Sequence, residues 1–87
     1  MSTSDLPKKV EGLEVHEVTD GYVVYDESND RVHYLNHTAA IVLELCTGAN
    51  DVRGIGEALG AAFELAELPL DEVKACIRQL VDEGLVT

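Results

Sequence analysis

Apolar residues alternate with polar ones through the first third of this chain and then recur at helical spacing. Leu13, Val15 and Glu17 would share one side of an extended segment, with Glu14, His16 and Val18 on the other. That imperfect alternation predicts an edge strand over residues 13–19. Asp20-Gly21 follows, a strong signal for a tight hairpin between two strand-like runs. Tyr22, Val23, Val24 and Tyr25 are all β-branched or aromatic and fit a pleated surface. Residues 26–30 are polar and of turn type, so the chain reverses there and returns as Arg31, Val32, His33, Tyr34 and Leu35. The first part of the chain therefore reads as a three-stranded antiparallel meander.

Asn36 stands where a helix N-cap belongs. The segment after it is apolar on nearly every side (Ala39, Ala40, Ile41, Val42, Leu43, Leu45, Cys46), which predicts a buried helix that the rest of the chain wraps. Gly48 is expected to close it in the left-handed conformation. Asn50 or Asp51 is suited to cap a second helix, whose apolar positions are Ile55, Leu59, Ala62 and Phe63. Gly54, Gly56 and Gly60 each cost that helix about 1 kcal/mol relative to alanine, so packing must hold it. Residues 64–68 form a connector. Pro69 suits the first turn of a third helix, with Asp71 and Glu72 near the positive end of its dipole. Val73, Ile77, Leu80 and Val81 make its stripe, and Gly84 with Leu85 supplies its C-terminal cap. Ile41, Leu45, Leu59, Phe63, Ile77 and Leu80 are expected to be buried together.

At 87 residues, 46% of them hydrophobic, the chain has the size and composition of one small globular domain. Residues 1–9 read as a disordered tail and residues 10–87 as the folded unit. No apolar run approaches the roughly 20 residues that span a bilayer, and residues 1–9 lack the apolar middle of a signal peptide. Two widely separated cysteines do not make a disulfide framework, so a cytoplasmic protein with reduced thiols is expected.

The net charge of −11 opposes nucleic acid and anionic lipid. It serves solubility and would suit a basic partner. Gly54, Gly56 and Gly60 do not have dinucleotide-fingerprint spacing, and no strand precedes them. His16, His33 and His37 are not spaced as a metal cluster; surface imidazoles and core thiols are the plainer reading of these histidines with Cys46 and Cys76. Nothing assembles a nucleophile, a base and an orienting group, so no catalytic residue, metal or cofactor is expected. Lys74 and Arg78, one helical turn apart, would form a positive stripe that Val81 extends. Pairing of Lys74 with Asp71 and of Arg78 with Asp82 is the alternative.

The segments Val24-Tyr25, Val32-His33-Tyr34-Leu35-Asn36-x-Thr38-Ala39-Ala40-x-x-Leu43-Glu44-Leu45-x-x-Gly48 and Val73-x-x-x-Ile77-x-x-Leu80-x-x-x-Gly84-Leu85-Val86 resemble the PqqD family. That family includes the pyrroloquinoline quinone biosynthesis protein D and the leader-binding domains called RiPP recognition elements. The match runs from about Leu13 to Val86, and Leu-Asn-x-Thr-Ala-Ala is its most specific block. The resemblance implies an α+β, winged helix-turn-helix-like fold of three antiparallel strands followed by three helices. It implies a non-enzymatic peptide chaperone that binds the leader of a ribosomally made precursor peptide by β-strand addition. The implied partner is a modifying enzyme, either a radical S-adenosylmethionine enzyme or a lasso-peptide leader protease. Carried over, the peptide lies along Arg31, Val32, His33, Tyr34 and Leu35, with Lys74, Ile77, Arg78 and Val81 as the opposite wall. The long turn at residues 26–30 is a departure that bears on strand register. Two rivals are a winged-helix DNA-binding regulator, which the charge opposes, and a scaffolding subunit of an enzyme complex.

Overall fold

The computed structural model describes residues 6–87. The elements run β1 (Leu13–Val18), β2 (Gly21–Asp26), β3 (Arg31–Leu35), α1 (His37–Leu45), α2 (Val52–Ala62) and α3 (Leu70–Asp82). The strands form one antiparallel sheet in the order β1-β2-β3, which leaves β1 and β3 as its edges. This is the expected α+β arrangement of a three-stranded meander followed by three helices.

The first hairpin turns one residue earlier than Asp20-Gly21 suggests. Val18 pairs with Gly21, so Thr19 and Asp20 are the loop and Gly21 opens β2. Gly21 answers to space: a Cβ there would run into the Leu35 carbonyl oxygen and lie 3.2 Å from Tyr34 Oη. The second hairpin is closed by the pair Asp26 and Arg31 around a four-residue loop, whose last residue, Asp30, takes φ 52°. The long turn therefore keeps β2 and β3 in unbroken register. Asp26 is its anchor. Its side chain is buried and accepts from the Asn29 side-chain amide at 2.8 Å and from the Asn29 backbone N–H at 3.3 Å.

α1 lies at the centre, packed on β2, β3, α2 and α3. Asn36 caps it as expected, its Oδ1 accepting from the Ala39 N–H at 2.8 Å. Ala40, Val42, Leu43 and Cys46 are buried with Val24, Leu35, Ile55, Leu59, Val73, Ile77, Leu80 and Leu85. Ile41 and Leu45 pack partly buried against that core, whereas Phe63 is exposed. The reason is local: α2 stops at Ala62, and Phe63 is its C-cap residue, beyond the last packed turn. Ala62 is exposed at the same end. The glycines of α2 face inward instead. Gly56 and Gly60 are buried, and a Cβ on Gly56 would stand 2.9 Å from Leu70 Cδ2, so α2 and α3 approach closely there.

Asn50 and Asp51 divide the capping work. The Asn50 amide donates to the Leu45 carbonyl at the end of α1, and Asp51 Oδ1 accepts from the Gly54 N–H at the start of α2. α3 ends in a Schellman motif: the Gly84 N–H bonds the Val81 carbonyl and the Leu85 N–H the Leu80 carbonyl. Gly48 has the expected positive φ, but its N–H bonds the Pro7 carbonyl and closes no helix turn. Of the tail expected over residues 1–9, residues 1–5 lie outside the described residues. Pro7 is buried, and Lys8 and Lys9 run as a strand-like bridge between the end of α1 and the C-terminus. Lys8 exchanges both backbone bonds with Thr87, and the Lys9 N–H reaches the Cys46 carbonyl at 2.7 Å. Backbone pairing holds these polar residues where side-chain composition alone suggests a loose tail.

Candidate functional site: an open sheet edge and the groove beside it

In an antiparallel sheet each residue turns both backbone groups to the same side, and the side alternates along the strand. The two-residue hairpin makes Val18 and Gly21 a hydrogen-bonded pair. Counting along β2, Gly21, Val23 and Tyr25 face β1, while Tyr22, Val24 and Asp26 face β3. On β3, Arg31, His33 and Leu35 then bond inward to β2. Val32 and Tyr34 turn their N–H and C=O groups to the open edge. Their side chains, 62% and 60% exposed, stand on the outer sheet face. The ring of Tyr34 covers Gly21 across the sheet.

The other face of β3 meets α3. The His33 side chain is largely buried, with Nδ1 3.9 Å from Glu83 Oε1 and a buried Nε2 that has no hydrogen-bond partner among the described residues. A cleft of ≈ 120 Å³ runs beside the edge, floored by Leu35, Ala39 and Leu80 and walled on α3 by Cys76, Gln79 and Glu83. Both cysteines are free thiols. Burial pushes Cys46 up to about 11. Cys76 is raised by burial and then by the Glu83 carboxylate.

The structure distributes the expected helical wall over one flank of α3 and its buried stripe, and the cleft is lined from the other flank. Residues 72, 76, 79 and 83 are spaced i, i+4, i+7, i+11 and form the α3 flank toward β3. Lys74, Arg78 and Val81 form the flank on the far side of the buried stripe Val73, Ile77, Leu80. Ile77 belongs to the core at 4% exposure. Helical periodicity put the cations on one stripe but could not say which flank β3 would meet. Cys76, Gln79 and Glu83, which line the cleft, carry no local sequence signal that would mark them. Among the described residues, neither Lys74 nor Arg78 forms a salt bridge, so the alternative pairing with Asp71 and Asp82 is not made. On β3, Leu35 is buried and contributes to the cleft floor, and Arg31 is exposed at the hairpin end.

The other sheet edge has a hollow too, ≈ 310 Å³ and more apolar, bounded by Val15, Tyr22 and α1. β1, however, carries Glu14 and Glu17 within the strand, charges that blunt an edge against pairing. Between Val32 and Leu35, β3 has no charged carboxylate or cationic terminus of that kind. Among the described residues no group of side chains is arranged to hold a metal ion, and no helix is long and apolar enough to cross a membrane.

A three-stranded wing whose outer strand has no partner among the described residues, ahead of three helices whose last flanks that strand, defines a winged-helix-like domain with an open β edge. The family model described as Coenzyme PQQ synthesis protein D (PqqD) matches residues 21–86, and the chain belongs to that family. A solved structure described as "Lasso peptide synthetase B1 complexed with the leader peptide" shares the fold, with a TM-score of 0.73. It is 18% identical in sequence, and the match covers 94% of this chain and 98% of that one. No curated protein matches the chain.

Proposed function

We propose that this domain binds the leader segment of a ribosomally made precursor peptide as a fourth strand along β3, and presents it to a modifying enzyme without catalysis of its own. The observation that carries the reading is the edge itself. Val32 and Tyr34 offer backbone donors and acceptors to any extended chain, directly beside a cleft that can take alternate side chains. Backbone bonds supply affinity in this mode, and the cleft supplies selection. Membership of the PqqD family and the fold shared with a leader-bound lasso peptide synthetase B1 support the same reading. The enzyme served is of the radical S-adenosylmethionine or lasso leader-protease kind. The test is capture of short peptides from the native host by immobilised protein, identified by mass spectrometry. The synthesised peptide is then titrated calorimetrically against wild type and a Val32→Pro variant. Proline removes an edge N–H and should abolish most binding while the fold, checked by circular dichroism, persists. Undiminished binding by that variant would count against strand addition.

A further inference from the structure

The α3 flank that faces β3 carries Glu72 and Glu83, whereas Lys74 and Arg78 lie on the opposite flank with Asp71 and Asp82. Glu83 stands at the rim of the cleft with its side chain about one-third exposed. Its two polar neighbours are His33 and Gln79. His33 Nδ1 is 3.9 Å away, an ion-pair distance too long for a hydrogen bond, and Gln79 Nε2 is at 3.5 Å. Glu72 continues the same stripe toward the start of α3. Among the described residues, no lysine or arginine lines the cleft. Lys74 and Arg78 are on the far flank, and Arg31, the cation on β3, is at the hairpin end. The floor, by contrast, is apolar: Leu35, Ala39 and Leu80.

An added strand would direct every second side chain toward this groove. We infer that the groove selects a leader segment in which an apolar residue seated over Leu35, Ala39 and Leu80 is followed two positions away by lysine or arginine facing Glu83. This rests on the strand-addition reading and adds to it the chemical class of the peptide. It also assigns Glu83 as a specificity residue and removes Lys74 and Arg78 from that role. The field of a chain carrying −11 draws the same peptides in from a distance.

The probe is a displayed library of random twelve-residue peptides, selected in parallel on wild type, Glu83→Lys, Glu83→Gln and the double variant Lys74→Glu/Arg78→Glu. Selected peptides are then titrated into ¹⁵N-labelled wild type. Wild type and the double variant should both enrich lysine and arginine over aspartate and glutamate. Peptides selected on wild type should lose about tenfold in affinity for Glu83→Lys and less for Glu83→Gln. Peptides that shift the Val32 and Tyr34 amides yet show no cation preference, or bind Glu83→Lys undiminished, overturn the charge inference and leave strand addition standing. A loss of that preference in the Lys74→Glu/Arg78→Glu variant overturns it as well. Binders that leave β3 unmoved, or a library with no binder above the protein-free control, overturn strand addition itself.

Discussion

Gly21 is held by the Leu35 carbonyl oxygen and the Tyr34 ring, which occupy the space a Cβ would need. Backbone cannot yield as a flexible side chain can, so Gly21→Ala should cost about 1–3 kcal/mol in urea melts. Gly84 differs. A Cβ there meets nothing, and only its φ of +78° disfavours a side chain, so Gly84→Asn should be mild. Asp26 poses an electrostatic question at the other hairpin. The Asn29 side-chain hydrogen bond, helped by backbone bonds and by His33, holds its carboxyl below the ordinary carboxylate range. A folded-state value below the unfolded one means Asp26 stabilises the fold fully above the unfolded value of roughly 3.9 and ceases to as pH falls through the lower folded value. Asn29→Ala removes the largest cause. Its urea stability should therefore lie below wild type at pH 7 and converge on it as the pH falls below about 4; parallel curves would show that Asp26 is not the group responsible.

The elements were legible where a local signal names a geometry. Asn36 as N-cap, Arg31–Leu35 as a strand, and Gly84 with Leu85 as a Schellman end all follow from side-chain chemistry within a few residues. What was not legible needed tertiary partners. Phe63 continues an apolar period past the point where α2 stops, and Gly56 of α2 looks like a weakness until Leu70 packs against it. The choice between the two flanks of α3 depends on where β3 lies, and a helical wheel has no access to that. The same contrast predicts energetics. Leu43 is 1% exposed at the centre of α1, so Leu43→Ala should cost about 2–5 kcal/mol. Phe63, 45% exposed, should cost less than about 1 kcal/mol on truncation to alanine. Urea midpoints of the two variants check this, and equal losses would mean that α2 packs further than its last turn.

At the scale of the whole molecule, charge and topology separate the readings of a winged-helix-like fold. A DNA-binding version needs several phosphate contacts from its last helix. Here α3 offers Lys74 and Arg78 against a net charge of −11. The protein should therefore leave duplex DNA unretarded in a gel shift at micromolar concentration and physiological salt; tight, salt-sensitive retardation would favour the regulator. A peptide-binding version needs an edge, and β3 supplies one whose backbone polarity can be assigned residue by residue. Amide hydrogen exchange read by ¹⁵N NMR, with and without the leader peptide captured from the native host, tests this most directly. Without peptide, the amides of Val32 and Tyr34 should exchange fast while those of His33 and Leu35, bonded to β2, are protected. With peptide bound, Val32 and Tyr34 should become protected as well, and the amides of Cys76, Gln79 and Glu83 should shift. Binding that leaves Val32 and Tyr34 exchanging as fast as in the free protein would contradict strand addition at β3.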